Sequence, residues 1–169
     1  MALPLAALGL TGALACAGHP QLRDGRYQDD VVEYSLESPG DGWQRLDMEQ
    51  ANVAWLNRDL GAALLVNSHC QGVEDAPLEV LTRHLLMGLT DVETVAERRL
   101  ELSGREALET TVEGKLDGVR RRLQLLVLKK DGCVYDVVLD ASPDGFSRAV
   151  PGYERVRSTL DVHPRKDWS

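Results

Sequence analysis

The sequence predicts an α+β fold in which an antiparallel β-sheet of about six strands lies between helices, an α/β/α sandwich of three layers. Three observations carry that expectation. The elements read, in order, as strands, a helix, a four-strand meander and a second helix. Two Asp-Gly pairs, Asp117-Gly118 and Asp131-Gly132, separate alternating apolar runs. Both central positions of a type I′ turn need positive φ, so each pair reads as a tight antiparallel hairpin. Several runs are apolar on both faces, and such a sheet has to be covered on both sides.

In the first strand Val32, Tyr34 and Leu36 alternate with Glu33 and Ser35, and the run stops at the turn cluster Pro39-Gly40-Asp41-Gly42. Trp43 restarts the chain. Val53-Ala54-Trp55-Leu56 leads through Asn57-Arg58-Asp59 into Ala62-Ala63-Leu64-Leu65-Val66, which is apolar on both sides and so reads as a central strand. Asp75-Ala76-Pro77 opens the first helix, since Asp75 can accept from an orphan N–H and Pro77 has no N–H to leave unpaired. Leu78, Leu81 and Leu85 form one stripe at i, i+3 and i+7, and Gly88 offers a left-handed stop.

In the second half Leu100 and Leu102 precede Ser103-Gly104. Leu108, Thr110 and Val112 share a face, as do Leu123, Leu125 and Val127 after the first Asp-Gly turn. After the second, Tyr135, Val137 and Leu139 point one way and Val134 and Val138 the other. Ser142-Pro143 caps a closing helical stretch with Tyr153, Val156 and Leu160 spaced for one face, and Pro151-Gly152 is expected to interrupt it. Trp43, Trp55, Tyr135 and Phe146 read as packing volume for the core. Trp168 stands among Arg165, Lys166 and Asp167 in a terminal tail over residues 163–169.

Pro39-Gly40-Asp41-Gly42-Trp43 after the first strand, the Leu-rich helix, and Tyr135-Asp136-Val137-Val138-Leu139 leading through Ser142-Pro143 to Phe146 resemble the PsbP-like domain. The resemblance covers about residues 27–162. It implies an antiparallel sheet between helices, and it carries no catalytic residue across, because its motifs are turn and core residues. That family includes a thylakoid-lumen subunit of photosystem II, a Ran-binding factor and bacterial envelope lipoproteins. Its members act by binding other proteins or assisting assembly, which implies a non-catalytic role here.

The chain has 169 residues, with 19 Lys and Arg against 27 Asp and Glu, a formal charge of −8. That length suits one domain with its own core, and the acidic balance argues against a nucleic-acid partner, which needs clustered Lys and Arg to meet phosphates. With 43% hydrophobic residues the chain falls outside the disordered and collagen-like classes.

Residues 2–15 carry no charged side chain. They are too few to cross a bilayer as a helix, which takes about 20 apolar residues, and they match the apolar region of a signal peptide. Ala13-Leu14-Ala15 supplies the small residues of a cleavage site, and Ala13-Leu14-Ala15-Cys16 resembles the lipobox of bacterial lipoproteins, in which the Cys is acylated and becomes the mature N-terminus. Two departures stand out. Leu14 is one place late, and no Lys or Arg precedes the apolar run, which points to a start upstream of Met1.

The expected organisation is a signal peptide over residues 1–15, a lipidated N-terminus and tether over 16–30 and a single domain over 31–162. The expected product is an exported periplasmic lipoprotein, held at the membrane by lipid on Cys16 and meeting an envelope protein partner; Ala17 after the Cys is compatible with outer-membrane sorting in the lipoprotein family, and inner and outer membrane both stay open. Plain secretion is the alternative location.

Cys16, Cys70 and Cys133 are the three cysteines. An odd count in an exported protein leaves one thiol over, and lipid on Cys16 leaves Cys70 and Cys133 to pair. Cys70 ends a central strand and Cys133 begins another, which allows both to reach one sheet edge. No metal site is expected. His69 and Cys70 are adjacent on a strand and point to opposite faces, and His84 has no histidine four residues away. No catalytic or cofactor-binding set is assigned either, since GxSxG, GxGxxG and P-loop patterns do not occur. The one basic cluster is Arg120-Arg121-Arg122. Arg120 and Arg122 share a face and form a candidate patch for an acidic partner or anionic headgroups, while the same charges also serve to discourage edge-to-edge pairing. Two functions follow from this reading: a lipid-anchored binding or assembly module, and alternatively an exported enzyme whose site has no linear motif.

Overall fold

A computed structural model describes residues 22–71 and 76–163. Cys16, the leader over 1–15, Asp75 and Trp168 lie outside the described residues. Strands β1 (Arg26–Gln28), β2 (Glu33–Ser35) and β10 (Asp161–His163) form a small sheet in the order β1-β2-β10. The main sheet has seven strands rather than about six. In spatial order they are β3 (Gln44–Leu46), β4 (Val53–Asn57), β5 (Ala62–His69), β9 (Cys133–Ala141), β8 (Val119–Lys130), β7 (Arg105–Leu116) and β6 (Leu89–Leu102). Neighbouring strands in it pair antiparallel throughout.

The meander β6-β7-β8-β9 forms as the turn residues dictate. Asp117 and Gly118 have φ of 50° and 79°, Asp131 and Gly132 have 52° and 75°, and Ser103-Gly104 repeats the pattern at 51° and 73°. The same chemistry recurs at Asp24-Gly25, with φ of 49° and 75°, where Arg23 and Arg26 exchange backbone hydrogen bonds of 2.8 Å. The end of the expected tether therefore belongs to the fold. Tyr27 on β1 is 3% exposed and stacks on Tyr34 with ring centroids 4.9 Å apart.

The two helices cover opposite faces, because alternate residues of each strand point to opposite sides. Helix α2 (Pro143–Thr159) and the small sheet cover the face carrying Trp55, Leu64, Val66, Leu126, Leu128, Val137 and Leu139, the largest core cluster. Helix α1 (Leu78–Leu85) covers the other. Leu81 packs on Val127 and Val134, and Leu85 reaches Val112, Leu123 and Leu125.

Two helix details differ from expectation. Pro77 stands just before α1 with extended backbone rather than inside its first turn. Helix α2 runs unbroken through Pro151-Gly152, with the Ser142 hydroxyl accepting from Gly145 N–H at its start. Pro151 removes one backbone bond on the exposed side, while Ala149, Tyr153 and Val156 on the inner side are fully buried and hold the helix to the sheet. Gly152 is required there by space: a Cβ would lie 2.8 Å from the Trp43 indole nitrogen and 3.1 Å from Pro39.

Candidate functional site

A polar cleft of about 640 Å³ opens where β5 outruns β4. The register ends the β4–β5 pairing at Val53 and Val66, so Asn67, Ser68 and His69 extend past their neighbour, and the loop 47–52 crosses in front of them. Asn52 stands in for the missing strand. Its side-chain oxygen accepts from Ser68 N–H at 2.6 Å and from the Ser68 hydroxyl at 2.7 Å, and its amide donates to the Tyr27 hydroxyl at 2.9 Å. The Tyr27 hydroxyl in turn donates to Asp29 at 3.2 Å. Burial, then Asp29, pushes the Tyr27 pKa up to about 12.

Arg45 closes one wall. Its guanidinium lies 5.4 Å from the Trp55 ring centre and donates to Ala54 O at 3.2 Å and Asn52 O at 3.4 Å. Desolvation lowers its pKa. Behind the cleft, Asn67 donates to the buried Asp136 carboxylate at 3.3 Å. Burial raises Asp136 to about 6, with the Asn67 bond and the nearby His69 acting in the opposite direction.

Several other charged side chains bond within the molecule. Glu109, 4% exposed, bonds the Tyr153 hydroxyl at 3.0 Å and pairs with Arg157 at 3.3 Å and with Arg98, which ties α2 to β6 and β7. Lys130 donates to Val162 O at 2.8 Å and Ser103 O at 3.0 Å and so fixes β10 to the meander. Arg120 and Arg122 do share a face, and both converge on Glu113 from the facing strand, at 3.8 Å and 3.3 Å. Arg122 also lies 4.7 Å from the Phe146 ring centre. Arg121, on the opposite face, pairs with Asp140 at 2.7 Å.

Cys70 and Cys133 form a disulfide. The β5–β9 register explains it: His69 faces Val134, and one step further sets Cys70 opposite Cys133. His69 lines the cleft and His84 lies exposed on α1, on separate elements. Among the described residues no group of three or more His, Cys, Asp or Glu is arranged to hold a metal. No described helix is long and apolar enough to cross a membrane.

The cleft was not legible as a site from the sequence. Asn52, Asn67 and Ser68 belong to no motif, and the one usable signal is the switch from Leu64-Leu65-Val66 to Asn67-Ser68 within a single strand.

No family model and no curated protein matches the chain. Solved structures do. LpqN of Mycobacterium tuberculosis, described as involved in cell envelope biogenesis, aligns with TM-score 0.57 and 14% identity over 80% of this chain and 87% of its own. The cyanobacterial PsbP of Synechocystis aligns with TM-score 0.57 and 14% identity over 92% of this chain and 100% of its own. A Pseudomonas aeruginosa protein of unknown function, described as a putative regulator, aligns with TM-score 0.55 and 15% identity over 83% and 97%. At such identities the likeness is one of fold, and the fold is PsbP-like.

Proposed function

We propose that the chain is an exported, lipid-anchored module of the bacterial envelope that works by binding a partner protein and performs no catalysis. The observation that carries this reading is the pairing of Cys70 with Cys133. A disulfide between them suits an oxidising compartment, and it leaves Cys16, directly after Ala13-Leu14-Ala15, as the one cysteine without an internal partner. Glu109 and Lys130 are taken up in internal bonds, in keeping with a structural use of those charges. The shared fold with a protein described as involved in envelope biogenesis agrees with that location.

The test is the intact mass of the full chain produced in a bacterial envelope, alongside Cys16→Ser. The expected product starts at Cys16, is heavier by acyl groups, and gains two hydrogens on reduction. Cys16→Ser is expected to leave the membrane fraction. An unmodified chain that keeps residues 1–15 and free thiols overturns the reading.

A further inference from the structure

We propose that the corner formed by the end of α1 and the β7–β8 hairpin is the partner-docking surface, and that its occupant is an amphipathic protein segment carrying acidic residues beside its apolar ones. This rests on the binding-module reading and supplies the class of partner.

Four exposed apolar side chains meet there. Met87 is 75% exposed, Val119 60%, Val92 41% and Leu116 40%. The register makes them neighbours: Leu116 faces Leu89 on one side and Val119 on the other, and Met87 stands two residues before Leu89. Val92 lies over Gly114, where a Cβ would come within 3.5 Å of its methyl and 3.1 Å of Leu89. Leu89, which Leu116 faces, packs on the buried cluster of Val112, Leu123 and Leu125. Large apolar side chains grouped in this way mark interaction sites, whereas single ones scattered over a surface do not.

Three observations select the occupant. The patch spans a few hundred Å², short of the roughly 800 Å² per partner of a stable dimer, so a short segment fits it better than a second copy. Position argues against the bilayer. The chain enters at Leu22, which packs on the α2 side, and β1 belongs to the small sheet that Ser103 and Lys130 fasten to the far end of the meander. The corner lies on the opposite face and at the opposite end, about 35 Å away along β8. The anchor proposed at Cys16 therefore joins the fold at the end remote from the corner. Charge says where acidic groups fall. Arg83 in the last turn of α1 is exposed beside Met87, and no ion pair is found for it among the described residues, whereas the exposed Asp117 in the β7–β8 turn has the opposite sign. Acidic groups on the partner therefore suit the α1 end of the corner.

The experiment selects a random peptide library against the full chain carrying Cys16→Ser, and against the same chain with Met87→Asp or Val119→Asp, whose exposed positions leave the core intact. Enriched peptides are expected to combine apolar residues with Asp or Glu. Each corner variant is expected to weaken them by about tenfold, and Arg83→Ser by a few-fold. Light scattering and flotation with phosphatidylethanolamine–phosphatidylglycerol vesicles run beside it. A dimer abolished by Val119→Asp would assign the corner to a second copy, and flotation abolished by it would assign it to the bilayer. Peptides indifferent to the variants, or no enrichment, overturn the proposal. The Cys16 mass measurement is separate, so failure here leaves the anchor standing or falling by itself.

Discussion

The two faces of the seven-stranded sheet are covered very differently. On one, a 17-residue helix and a three-stranded sheet lie over a continuous apolar layer, with Tyr27, Tyr34 and Tyr135 packed ring against ring. On the other, an eight-residue helix covers only parts of β7, β8 and β9 and leaves Val92, Leu116 and Val119 in solvent. The first face is built for stability. The second keeps just enough cover to hold the sheet and leaves large apolar side chains at its surface. The disulfide ties the end of β5 to the start of β9, two central strands that both faces share.

Cutting that shared tie is expected to have the largest effect. Cys133→Ser opens a loop with a sequence separation of 63, and chain entropy places the loss at about 4 kcal/mol. Urea denaturation of the variant against the oxidised parent reads it. A loss under about 1 kcal/mol would mean that packing alone fixes β5 on β9.

Truncating one leucine on each face tests the asymmetry directly. Leu64, fully buried against α2, is expected to lose about 3–4 kcal/mol on Leu64→Ala. Leu81, 8% exposed on the inner side of the short helix itself, is expected to lose about 2 kcal/mol on Leu81→Ala, because the thin cover can settle into the space. Equal losses from the two would remove the distinction between the faces.

The same asymmetry decided what could be read from the sequence. The meander and its inward sets were legible because Asp117-Gly118 and Asp131-Gly132 fix registers locally, and period-two alternation then assigns every side chain to a face. Asp24-Gly25 carries the same signal but sits in a polar stretch whose single core residue, Tyr27, finds its partners Tyr34 and Asn52 only through tertiary packing. Pro151 reads locally as a break, and the buried row Ala149, Tyr153 and Val156 overrides it. The cleft was silent for a related reason. Asn52 and Ser68 meet only because β5 is longer than β4, a register fact that no linear pattern encodes. The apolar corner escaped too, since Met87, Val92, Leu116 and Val119 come from three separate stretches of chain.

Asp136 makes the contrast pH-dependent. It lies on the α1 side with Val134 and Val138, and burial raises its pKa to about 6. The unfolded value is about 3.9, so between these limits the folded state holds the extra proton. Its contribution is most favourable below pH 4 and is lost as pH rises through 6. Asp136→Asn is expected to gain on the order of 2 kcal/mol at pH 7 and to flatten the Asp136 part of the stability slope between pH 4 and 6. Urea midpoints at pH 4, 5, 6 and 7 check both, and a variant less stable than the parent at pH 7 would show that the charged carboxylate is needed where it stands.

The smallest expected effect is the sharpest on the open face. Val112 and Leu116 occupy the same strand and the same side, four residues apart, yet Val112 is fully buried under α1 and Leu116 is 40% exposed. Val112→Ser places a hydroxyl in an apolar site and removes packing, and is expected to lose about 2–3 kcal/mol. Leu116→Ser, together with Val119→Ser, is expected to change stability by no more than about 0.5 kcal/mol each, because water already reaches both side chains. A pair of neighbouring large apolar residues whose removal leaves folding unchanged contributes nothing there that the free domain uses, and that is the signature of a surface kept for something else. Should Leu116→Ser instead lose as much as Val112→Ser, the corner would count as an outlying part of the core, and the two faces would differ in thickness of cover alone.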